Sequence, residues 1–95
     1  MNPELTLFEF KAWKKYFWKE RDDVKNNTVR IIDLQDERFL DLIAWNQIGY
    51  NDGDIQIRIV CDEERITRDI RDITIFNDMM IITWHPAPQV ELVKN

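Results

Sequence analysis

Two glycines, Gly49 and Gly53, are all that the ninety-five residues contain, which excludes a glycine-rich phosphate loop. A single cysteine, Cys61, excludes an internal disulfide framework and points to a reducing compartment. With one histidine besides, His85, the chain is short of the four Cys/His ligands of an ordinary zinc site. No apolar run approaches the roughly 20 residues that span a bilayer. Nor does a basic stretch followed by an apolar run open the chain, so no signal peptide is expected. The expected location is the cytoplasm, with no membrane association and no cofactor.

The residues present are unevenly chosen. Apolar side chains make up 44% of the chain, and the Asp, Glu, Lys and Arg side chains 33%. There are thirteen isoleucines and four tryptophans but only three alanines. Branched and aromatic side chains suit the pleated surface of a strand better than a helix. More sheet than helix is therefore expected beyond the first twenty residues.

Charge is segregated along the chain. The net charge is −5, yet residues 1–30 carry seven Lys/Arg against five Asp/Glu, and residues 31–95 carry six against thirteen. A long-range negative field repels phosphates, so direct nucleic-acid binding is not expected, whereas a basic protein partner is. The plainer reading is that excess charge keeps a small protein in solution.

The first segment reads as a helix from about Leu7 to Glu20. Thr6 and Glu9 stand at capping-box spacing, with Leu5 and Phe10 as the hydrophobic staple. At 100° per residue, Leu7, Phe10, Trp13, Phe17 and Trp18 share one broad side, suited to cover a sheet. Lys11, Lys15 and Lys19 form a stripe opposite, and Phe8 and Tyr16 point elsewhere. Residues 22–28 read as a turn and Thr28–Leu34 as a strand.

Residues 36–50 allow two readings. Asp36 as cap and Gly49 as terminator would frame a helix. A strand running into a hairpin at Asn51-Asp52-Gly53-Asp54 is slightly favoured, because that tetrapeptide is the strongest hairpin signal in the chain. Ile55, Ile57 and Ile59 alternate as one face of a strand. Ile66, Ile70 and Ile73 recur at i, i+4 and i+7 among charged residues, which predicts a short helix over 62–71. Residues 73–84 read as a closing hairpin turning at Asn77-Asp78, and His85-Pro86-Ala87-Pro88 ends regular structure. The expected fold is α+β. An N-terminal amphipathic helix packs on an antiparallel sheet of four or five strands, with a short charged helix besides, in one domain over 1–88. An extended tail follows over 89–95.

Few constellations carry chemistry. Cys61 and His85 lie 24 positions apart without a local catalytic signature, and a cysteine at a strand end is more often a small buried hydrophobe. Read as an EF-hand loop, Gly53 would put Ile48 and Tyr50 at ligand positions, which fails. No catalytic residue is therefore nominated, and a small hydrolase or nuclease is the least favoured reading.

The favoured reading is a small acidic protein-binding module that inhibits or modulates a basic, nucleic-acid-handling partner. Its carboxylates would stand where phosphates sit, and a phage or mobile-element origin suits its composition. The candidate contacts are Asp62, Glu63, Glu64, Asp69 and Asp72, with Trp18 and Tyr16 as aromatic anchors. Arginines at 65, 68 and 71 count against phosphate mimicry. The alternative is an accessory subunit that joins a larger assembly through a free sheet edge.

Overall fold

The computed structural model of the chain describes residues 2–87. These form a mixed five-stranded sheet and two helices, an α+β architecture. The elements are β1 (Leu7–Lys11), α1 (Lys14–Arg21), β2 (Asn27–Ile31), α2 (Glu37–Ile48), β3 (Gln56–Cys61), β4 (Glu64–Phe76) and β5 (Met79–Trp84). The strand order is β1-β3-β4-β5-β2. Only β1 and β3 run parallel, and the other three pairings are antiparallel. The tail expected over 89–95 lies outside the described residues.

The segment expected to begin as a helix begins as a strand. Burial over Leu7–Lys11 alternates strictly, with Phe8 and Phe10 inside, the period of a strand and not of a helix. The capping box does not form, because Glu9 lies within the extended β1 and not in the first turn of a helix. Leu5 donates its N–H to the Asp41 carboxylate at 2.8 Å, and its carbonyl accepts from the Trp45 indole at 2.8 Å. The Thr6 carbonyl accepts from Gln56 of β3 at 2.8 Å. A helix follows only from Lys14, capped by Trp13 without a side-chain hydrogen bond. Of the aromatic side expected to cover the sheet, Phe17 is buried on α1, whereas Trp13 and Trp18 are exposed.

Residues 37–48 are helical, which overturns the favoured strand. Asp36 accepts from the N–H of Arg38 at 2.9 Å, and Gly49 ends the helix at φ 88° and ψ 155°. That backbone region is open essentially to glycine alone. Asn51–Asp54 is a turn, but it joins α2 to β3 and no hairpin forms there.

The charged helix expected over 62–71 is the first half of β4, and a β-bulge explains the misleading periodicity. Ile66 and Ile70 share the inward face of a regular strand. The register then shifts between Ile70 and Asp72, so the next inward residue is Ile73. One extra residue turns the two-residue step that should follow Ile70 into a step of three, so the inward isoleucines read four-plus-three, which imitates a helix. The bulge falls where the pairing of β4 passes from one neighbour to the other. Residues 64–69 pair with β3, and residues 70–76 pair with β5. Charged side chains of this strand find partners on other elements. Glu64 bonds Arg21 at 3.0 Å, and Arg68 approaches Asp23 at 3.8 Å.

The core gathers inward residues from every strand except β2's apolar positions. Phe8, Phe10, Ile57, Ile59, Ile70, Met80, Ile82 and Trp84 pack with Phe17 of α1 and Phe39 and Leu42 of α2. Burying each such side chain is worth about 1.5–3 kcal/mol.

Candidate protein-binding cleft

A cleft of about 540 Å³ lies between α1 and the β3–β4 hairpin, walled by Lys14, Phe17, Trp18 and Arg21 on one side and residues 61–64 on the other. The hairpin is tight. Cys61 pairs with Glu64, so its loop is the dipeptide Asp62-Glu63, with Asp62 at φ 53°. Aspartate tolerates this left-handed conformation better than most residues. The loop thus holds two carboxylates at one end of the sheet, next to Glu64 at the start of β4.

Trp18 stands opposite them with 45% of its surface exposed. It follows Phe17, the residue that anchors α1 in the core, and is carried round to the cleft side. The Lys19 ammonium lies 5.8 Å from its ring. Arg21, one turn on, is committed to Glu64 at 3.0 Å and Asp22 at 3.1 Å. Among the described residues, Asp62 and Glu63 enter no ion pair.

Four of the seven residues nominated from sequence therefore meet: Trp18, Asp62, Glu63 and Glu64. The other three do not. Tyr16 lies on the opposite flank of α1. Asp69, midway along β4, accepts from the Gln56 amide at 2.9 Å. Asp72, beside the bulge, accepts from the Thr74 hydroxyl at 2.7 Å. At ~3.3 Å per strand residue, Asp69 and Asp72 are more than 15 Å from the hairpin tip.

Cys61 forms part of the cleft wall but is buried. Burial pushes its thiol above the ordinary range, the carboxylates of Asp62 and Glu64 add to that, and Lys14 opposes them. The thiolate is thereby disfavoured. His85 bonds Asp52 at 2.9 Å, in the turn that precedes β3, whereas Cys61 ends that strand. The two are not brought together. Among the described residues, no group of three or more His, Cys, Asp or Glu side chains is placed to hold a metal ion, and no helix is long and apolar enough to cross a membrane.

Sequence reasoning missed a second groove, of about 410 Å³, on the other flank of α1. It is bordered by Lys11, Trp13, Tyr16, Glu20, Lys25 and Arg30. The alternation Phe8-Glu9-Phe10-Lys11 was the available signal. It ends β1 before Trp13 and leaves that ring outside the core. Comparison with protein-family models and with curated proteins finds no match.

Proposed function

We propose that the chain is a cytoplasmic protein-binding module, and that the cleft beside Trp18 receives a basic segment of a protein partner. The observation that carries this reading is the meeting of an exposed indole with the Asp62, Glu63 and Glu64 carboxylates in one concavity. A lysine or arginine of the partner would lay its stem along Trp18 and bring its charge to Asp62 and Glu63. Glu64 would exchange Arg21 for the partner's cation. A modulating or inhibitory role follows where the basic segment belongs to a partner's nucleic-acid groove. Separation of Asp69 and Asp72 from the tip narrows the phosphate-mimic version to the hairpin alone. Catalysis is not proposed, since the thiol is held protonated and the imidazole is bound elsewhere.

The test is the affinity of a lysine- and arginine-rich peptide, measured by calorimetry at low and high salt. Asp62→Lys with Glu63→Lys should abolish binding, and Trp18→Ala should weaken it about tenfold or more. Unchanged affinity in both variants removes the cleft from consideration.

A second reading, an accessory subunit, is favoured by the outer edge of the sheet. Ile31, Met79 and Phe76 are cross-strand neighbours on β2, β5 and β4, and all three are exposed. Ile31 alone is 72% exposed, on an edge strand. Sedimentation of the chain against an Ile31→Lys variant separates the readings. A salt-resistant oligomer lost on that substitution supports the subunit.

A further inference from the structure

We propose that the groove on the second flank of α1 binds single-stranded nucleic acid. Two features of the sequence speak against it, the net charge of −5 and the lack of a second basic element. The fold removes both objections. Lys11 at the end of β1, Lys25 before β2 and Arg30 within β2 converge on one groove. It continues past Lys11 and Arg30 into a neighbouring hollow of about 320 Å³ bordered also by Arg38, whose charge is paired with Asp36. Of the carboxylates, Glu20 is buried, with Lys25 at 3.9 Å, and Glu9 stands on the rim of the hollow close to Arg58. The groove is therefore locally cationic on an acidic protein. Over the ~8–10 Å to which salt confines such fields, local charge governs what is bound.

The aromatic residues decide which anion fits. Trp13 is 79% exposed and Tyr16 46% exposed, both on this groove. Neither ring serves the core. Lys15 and Lys19 lie 5.5 and 6.0 Å from the Tyr16 ring, so cations for phosphates stand beside a face for bases. Flat rings interleaved with lysines are the arrangement on which unpaired bases stack while the backbone follows the charge. A duplex hides its base faces and would engage the lysines alone. An acidic peptide would likewise leave the rings unused. The groove and the acidic cleft lie on opposite flanks of α1, so the two proposals stand or fall separately.

The probes are fluorescein-labelled oligothymidylate and oligouridylate of about twelve nucleotides, followed by anisotropy and by quenching of tryptophan emission at roughly 50 and 200 mM salt. Binding is expected at low salt, falling steeply at high salt. Trp13→Ala should weaken it about tenfold or more, with the fold checked by circular dichroism. Lys11→Glu with Lys15→Glu should lower the salt slope by about two. Asp62→Lys with Glu63→Lys should not weaken it. Absence of binding at low salt, or affinity indifferent to Trp13→Ala, overturns the proposal. So does equal binding of a duplex, or displacement by polyglutamate at matching concentration, which would assign the groove to an acidic chain.

Discussion

Arg38 forms a two-pronged ion pair with Asp36 and from there donates to the main-chain carbonyl of Glu9. Arg30 does the same for Lys11 at 3.0 Å. Both guanidiniums lie over the ring of Phe10, at 4.4 and 5.2 Å. Glu9 and Lys11 belong to β1, an edge strand of the sheet, so two arginines occupy carbonyls that could otherwise recruit another chain. The hydrogen bonds from Arg38 hold the Asp36 carboxyl below its ordinary range. Such a group stabilises the fold above its ordinary pKa, and that contribution is lost as the pH falls through the depressed value. Asp36→Asn keeps a capping oxygen but not the ion pair. It should lower the melting temperature at neutral pH, with the gap from the native chain closing on acidification. A gap independent of pH would show that the pair contributes nothing beyond the cap.

The sheet's central register was readable in the sequence wherever alternation ran unbroken. Ile55, Ile57 and Ile59 are all inside, as their spacing required. The hairpin at Asn77-Asp78 is where its turn residues placed it, with Asn77 at φ 55°. Two elements were misread because a local signal was overridden from a distance. The bulge at residues 70–72 shifts the register of β4 against β5, and it disguised a strand as a helix. The capping signal at Thr6 and Glu9 is real in composition, but Gln56, fifty residues away on β3, takes the Thr6 carbonyl that would accept the first helical hydrogen bond. Of the site, the acidic tip and Trp18 were legible as residue types. Their meeting was not, because it depends on Asp62-Glu63 being a loop and not the first turn of a helix.

Glu20 carries a further pH dependence of opposite sign. It is 3% exposed, and its Oε2 has no hydrogen-bond partner. Burial raises its carboxyl above the ordinary range, against the pull of Lys25 and Arg30. The native state then holds its proton more tightly than the unfolded chain, so stability declines as the pH rises from the ordinary carboxylate range through the raised value. Glu20→Gln removes the titration. It should stabilise the protein at neutral pH by about 1 kcal/mol, roughly 4–8 °C in a domain this size. The benefit should vanish in acid. Destabilisation at neutral pH would show that the Lys25 contact outweighs the desolvation.

Gly49 isolates a purely backbone effect. A Cβ built there meets no atom within 4 Å, so alanine would find room. The φ of 88° with ψ of 155° nevertheless suits only glycine. Gly49→Ala should therefore destabilise by about 1–3 kcal/mol without any steric clash. Denaturant unfolding measures it, and an unchanged midpoint would mean that the α2–β3 connection relaxes freely.

The N-terminal strand makes the most discriminating comparison, between Phe8 and Trp13. On a helix over 7–20, Trp13 would lie with Phe10 and Phe17 on the covered side, and Phe8 would point away from them. In β1, Phe8 is fully buried against the sheet, and Trp13 lies beyond the strand's end. Phe8→Ala should then cost about 3–5 kcal/mol, the usual range for emptying a phenylalanine site in a packed core. Trp13→Ala should stay within about 0.5 kcal/mol of the native chain, as surface substitutions do. Chemical denaturation of the two variants side by side reads the difference directly. The reverse order would restore the helix, bury Trp13, and withdraw the stacking surface on which the nucleic-acid groove depends.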